Sequence, residues 1–104
     1  MGATLKIQVN SLQEVRENID LIDRDIVRLL GQRCGFVKEA ARFKSSKSDV
    51  EASTRVEEVI DKVRALAIEH ALSPNIAETT YRAMISAFIE MEHAEVGRAR
   101  SQPK

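Results

Sequence analysis

Cysteine occurs once in this sequence of 104 residues, proline twice, glycine four times and tryptophan not at all. Each scarcity excludes something. Cys34 has no second cysteine to pair with, so no internal disulfide staples the chain; this fits a reducing compartment and makes the cytoplasm the expected location. So little glycine and proline leaves few β-turns, which disfavours strand-rich folds. One tyrosine and three phenylalanines are too few for a base-stacking surface. An excess of either charge is also missing. Lys and Arg number 16 and Asp and Glu 16, so no net field draws the chain to nucleic acid or to an acidic membrane. No apolar run reaches the length of a signal peptide or a membrane span. Lys6 stands where a myristoylation signal after Gly2 requires Ser or Thr. The expectation is one soluble domain over residues 1–104, with no membrane and no nucleic acid among its partners.

What is present is helical periodicity. After a loose arm over residues 1–10, Ser11-x-x-Glu14 reads as a capping box, hydroxyl and carboxylate satisfying two orphan backbone donors. A seam then advances by alternating steps of 3 and 4 through Leu12, Val15, Ile19, Ile22, Ile26, Leu29, Arg33, Phe36, Ala40 and Phe43. That is a heptad pattern sustained over about four heptads. A helix from Ser11 to Lys44 would be about 50 Å long, whereas a globule of this size has a radius of gyration of about 13 Å. Such a helix needs cover from beyond its own chain. The expected fold is therefore all-α, three helices per chain, in an intertwined helical-bundle homodimer with a very long first helix.

Residues 45–53 read as a polar connection. Thr54-x-x-Glu57 looks like a second capping box, opening a helix that carries Val56, Val59, Ile60, Val63, Leu66 and Ala67 on one side and runs out near His70. Ser73-Pro74 reads as N-cap and first position of a third helix. Its inward stripe is Ala77, Tyr81, Met84, Ile85, Phe88, Met91 and Glu92. Residues 97–104 are expected to be loose. No repeat, low-complexity segment or internal domain boundary interrupts the order.

Two seam positions carry charge where oil is expected, Arg33 and Glu92. They read equally as a buried structural pair or as ligand-binding groups. Lys44 follows Arg33 by eleven residues, which on an ideal helix rotates it only about 20° and carries it roughly 16 Å along the axis. Arg16 precedes Arg33 by seventeen residues and lies about 100° away around the helix. It can join the same site only from a second chain. Taken singly, Lys44 reads as a dipole-matching helix end, Arg16 as surface, Tyr81 and Phe88 as core, and Cys34 as an inert buried thiol. His70 and His93 lack metal-ligand spacing, and there is no Gly-rich loop or Cys/His cluster, so neither metal nor cofactor is expected. Taken together, three cations and one carboxyl over apolar helical walls suit a small dicarboxylate. Two arginine forks can hold two carboxylates at fixed separation, and a lysine can stabilise charge developing on an ether or carbonyl oxygen. With no nucleophile or general base in view, rate must come from conformational restriction and electrostatics. A pericyclic reaction meets that description.

The order and spacing of Arg16, Arg33, Lys44 and Glu92 resemble those of the active-site residues of the all-α chorismate mutase family, over residues 11–96. The segment Lys38-Glu-Ala-Ala-Arg-Phe-Lys44 looks like the isochorismate-pyruvate lyase branch of that family. The resemblance implies a dimer with two sites, each taking Arg33, Lys44 and Glu92 from one chain and Arg16 from the other. It also implies that all four bind substrate and that Lys44 and Glu92 are the catalytic pair. Two positions depart from the pattern. Chorismate mutases carry a glutamate after the arginine that opens the second helix, where it reads the ring hydroxyl; here Val56 follows Arg55, as in the lyase branch. The lyase branch also resembles this chain in having an aromatic one turn before the last polar site residue, here Phe88. It carries glutamine at the position of Glu92, however, where fungal chorismate mutases use glutamate. A glutamate must be protonated to donate to the ether oxygen. The expected function is conversion of isochorismate to salicylate and pyruvate, with chorismate mutase (chorismate to prephenate) as the alternative and an aminated chorismate analogue as a third substrate. The rival of another class is a non-catalytic dimerisation module in which Arg33 and Glu92 set the register.

Overall fold

Ser11 starts the first helix as the capping box requires: its Oγ accepts a hydrogen bond from the Glu14 amide at 3.1 Å. The Glu14 carboxylate closes the box on the amide of Asn10, one residue before the cap itself. From there α1 spans Leu12–Ala41, 30 residues or about 45 Å. The structure, a computed structural model, describes residues 8–44 and 53–101, with side chains up to Ala94. The arm at residues 1–7 and the connection at 45–52 lie outside the described residues.

The α-helix stops at Ala41, short of the expected Lys44. Arg42, Phe43 and Lys44 bond back to Glu39, Ala40 and Ala41, three residues rather than four. The last turn is thereby tightened toward 3₁₀ geometry. Helix α2 (Ser53–Glu69) opens one residue before Thr54. Glu57 does not serve Thr54 in the expected box; its carboxylate accepts two hydrogen bonds from Arg82 at 3.0 Å each. The charged partner on the neighbouring helix is the stronger attraction. Helix α3 (Pro74–Ser101) begins where Ser73-Pro74 places it, with the Ser73 carbonyl accepting from Ile76 and Ala77. It continues through Gly97 to Ser101, beyond the point where the tail was expected to loosen.

Between α2 and α3 the chain reverses in one tight motif. Ala71 takes φ 57°, Leu72 donates to the Ala67 carbonyl at 2.8 Å and Ala71 to that of Ile68 at 3.3 Å. This is the Schellman pattern, with alanine in the left-handed position that glycine usually fills. The hairpin is antiparallel, since Arg64 reaches Asn75 and Glu78 near the turn while Glu57 meets Arg82 farther out. Val63, Ala67 and Ala77 form its buried core, with Val59 and Tyr81 packed on it. An exposed charge cluster laces the same hairpin: Arg82 bonds Glu57 and Glu78, and Glu78 also takes Arg64 at 2.8 Å. The hydrogen bonds from Arg82 hold the carboxyls of Glu57 and Glu78 below their ordinary range, and the two carboxylates raise Arg82.

Only the second half of α1 packs on this hairpin. Leu30, Arg33, Cys34, Val37, Ala40 and Ala41 are half-buried there, with the Cys34 thiol donating to Met91 Sδ at 3.5 Å. Phe36 and Phe43, expected in the seam, are 77% and 84% exposed. A strict 3.5-residue repeat drifts about 20° per heptad on a straight helix, and by the fourth heptad it has left the covered face. Among the described residues little covers the first half of α1. Leu12, Ile19, Ile22, Ile26 and Leu29 stay 47–62% exposed. The radius of gyration is 17.6 Å and the long dimension 60 Å, against about 13 Å for a globule of this size. Among the described residues no helix is long and apolar enough to cross a membrane.

Candidate active site

A cavity of about 310 Å³ opens where the end of α1 meets the start of α2 and the middle of α3. That volume suits a small organic ligand. Its walls are apolar: Val37, Ala40 and the largely exposed Phe36 from α1, Val56 and Val59 from α2, Ile85, Phe88 and Ile89 from α3. Into them project Arg33, Lys44, Arg55 and Glu92. Three of the four residues singled out by sequence therefore share one cavity. The fourth does not. Arg16 is exposed on the uncovered half of α1, about 25 Å along the helix from Arg33, and cannot reach the cavity of its own chain.

The pairing inside differs from the simplest expectation. Glu92 is 5% exposed, and its Oε2 accepts from Lys44 Nζ at 2.7 Å; Arg33 is not its partner. The tightened last turn of α1 swings Lys44 further round than an ideal helix would, and its long flexible stem spans the remaining gap. Arg33 turns instead to rings, its Cζ 5.3 Å from the Phe88 centroid and 5.9 Å from that of Tyr81. Both distances are within cation–π range. A buried carboxylate left without Lys44 would be costly, so the pair ties the end of α1 to α3 beside the cavity.

Arg55 is the residue that sequence reasoning passed over as a ligand group. It lies in the first turn of α2, paired with Glu58 at 3.4 Å and largely exposed at the cavity rim. A signal was there: a cation in a helix's first turn opposes the macrodipole, and α2 has no acidic residue in that turn to compensate. Glu58, one turn on, offsets part of that cost.

Three cations and one carboxyl over apolar walls, carried on three helices, define an all-α site suited to a small organic dianion. Comparison with known proteins gives that class a family. Chorismate mutase type II matches residues 15–93, and the chain belongs to this family. It is 37% identical over 78 residues to an isochorismate pyruvate lyase of Pseudomonas aeruginosa, covering 75% of this chain and 77% of that protein. To a chorismate mutase of Methanocaldococcus jannaschii it is 28% identical over 78 residues, covering 74% and 79%.

Proposed function

We propose that the chain is a pericyclic enzyme that converts isochorismate to salicylate and pyruvate, working as a homodimer with two shared sites. The observation that carries this reading is the cavity, where Arg33, Lys44 and Arg55 face apolar walls that include Val56. The substrate is an enolpyruvyl ether with two carboxylates. Arg33 takes one carboxylate through its fork. Arg16 of a second copy takes the other, because its own chain leaves it about 25 Å away on a bare apolar stripe. Within a cyclic transition state the ring C–O bond breaks as a hydrogen passes from the hydroxyl-bearing ring carbon to the enolpyruvyl methylene, giving the aromatic ring of salicylate and the methyl group of pyruvate, and negative charge builds on the departing oxygen. Lys44 and the carboxyl of Glu92 meet that charge, a contribution that is large where water is excluded. Val56 and Phe88 leave the ring end of the cavity apolar, which favours the lyase reaction over one that must grip a ring hydroxyl.

Chorismate mutase activity is the second reading, favoured by the carboxyl at Glu92, and the same cavity can run both reactions. The deciding experiment supplies purified protein with chorismate and isochorismate separately and follows prephenate, salicylate and pyruvate. Salicylate and pyruvate in equal amounts from isochorismate support the lyase; prephenate alone moves the assignment to the mutase. A dimerisation module without activity turns over neither, and a dicarboxylate transition-state analogue leaves its melting temperature unchanged.

A further inference from the structure

The site cations are held in different ways. Lys44 is engaged by Glu92 and Arg55 by Glu58, whereas among the described residues no carboxylate pairs with Arg33. Its guanidinium meets two aromatic rings instead, at 5.9 Å from Tyr81 and 5.3 Å from Phe88. The rings stand seven residues apart on α3, about 10.5 Å along the axis, so these distances put the guanidinium between them. A ring face attracts a cation through its quadrupole and occupies none of its N–H donors; a carboxylate would take two. Arg33 is thus held in place with its fork still available.

The two rings are not equivalent. Phe88 lines the cavity, but Tyr81 is not among its lining residues and packs on the buried Val63, Ala67 and Ala77 cluster instead. We propose that Tyr81 is a positioning residue: anchored in the hairpin core, its ring fixes the Arg33 side chain against Phe88, so that the fork faces the cavity before a ligand carboxylate arrives. Arginine has many rotamers, and ordering it in advance removes that loss from binding. This inference rests on the dicarboxylate reading of the cavity. It assigns a binding role to a residue that neither touches the ligand nor carries charge.

The test compares Tyr81→Leu, which keeps apolar bulk without a π face, with Tyr81→Phe, which keeps the ring without the hydroxyl. Three quantities are read: steady-state constants on chorismate or isochorismate, inhibition by a bicyclic dicarboxylate transition-state analogue, and the Arg33 Nε–H resonance of the ligand-free protein. Tyr81→Leu should raise KM and the inhibition constant about three- to tenfold while changing kcat less than about twofold, the signature of lost uniform binding. Its Arg33 resonance should lose the part of the ring-current shift that Tyr81 contributes, keeping that of Phe88. Tyr81→Phe should match wild type in all three. Unchanged KM, inhibition and resonance in Tyr81→Leu overturn the proposal; so does a Phe variant as impaired as the Leu variant, which assigns the effect to the hydroxyl. A wild type that neither reacts with these substrates nor binds the analogue overturns the dicarboxylate reading, and the resonance then decides by itself whether the rings fix Arg33.

Discussion

The two halves of α1 follow one heptad pattern and meet different fates. From Leu30 to Ala41 the helix lies on α3, its inward residues half-buried and Arg33 lining a cavity. From Leu12 to Leu29 the same periodicity continues over a stripe that the described residues leave largely uncovered. The stripe is too regular to be incidental. Five large aliphatic side chains held half-exposed forgo about 1 kcal/mol or more each relative to burial. The covered half shows what this stripe does when it finds a partner, and the bare half carries Arg16, which the proposed dimer would bring to the partner's cavity.

The comparison breaks most decisively at Ile22. Ile22 is 57% exposed and Leu21 56%, so an isolated chain predicts the same small effect from a glutamate at either. If a second copy covers the seam, Ile22→Glu should abolish the dimer and unfold much of α1, while Leu21→Glu should stay within about 0.5 kcal/mol of wild type. Sedimentation and thermal melting of the two variants distinguish these outcomes. A folded, monomeric wild type at micromolar concentration would end the proposal of a dimer.

Next in size are the cations. Arg16→Ala in the bare half and Arg33→Ala in the covered half should each remove most activity. Mixed chains should recover about a quarter of it, since half the dimers in a statistical mixture are heterodimers with one intact site in two. Failure of verified heterodimers to turn over would rule out sharing. Lys44→Met keeps most of the packing and should lower kcat about 10²–10³-fold.

Glu92 gives a subtler test. Glu92→Ala should lose most of the rate, but Glu92→Gln should keep it, because the amide donates to the ether oxygen at any pH. A glutamine variant that loses as much rate as the alanine variant would remove Glu92 from the role of donor. The smallest effect belongs to Ala71, at φ 57°. Ala71→Gly relieves left-handed strain and should stabilise the hairpin by up to about 1 kcal/mol in a denaturant titration. It should leave KM and dimerisation untouched, which makes it the control.

Much of this was legible in sequence because it is written in local chemistry. The Ser11 cap, the Ser73-Pro74 start and the whole inward stripe of α3 from Ala77 to Glu92 are set by spacing and by one or two side chains. What was not legible depends on competition between distant groups. Glu57 had a local use at Thr54 and a stronger one at Arg82, which only the hairpin brings near. Glu92 had two cations to choose from, and the tightened turn after Ala41 delivered Lys44 rather than Arg33. Phe36 and Phe43 fitted a heptad count but left the covered face through accumulated drift. The gathering of Arg33, Lys44 and Glu92 was anticipated from residue type and rotation. The rings around Arg33 were taken only as core, since a packed aromatic and a cation's support look alike in a one-dimensional pattern.

The Lys44–Glu92 pair at 2.7 Å has a consequence for what the cavity admits. An entering molecule does not meet an idle ammonium; it must draw Lys44 away from a carboxylate that already holds it. A neutral ether has nothing to offer in exchange and leaves the pair closed. A dianion compensates Lys44 with charge of its own. On the proposed reading the Lys44–Glu92 pair is therefore a charge-count filter, opened by a ligand that brings negative charge in exchange.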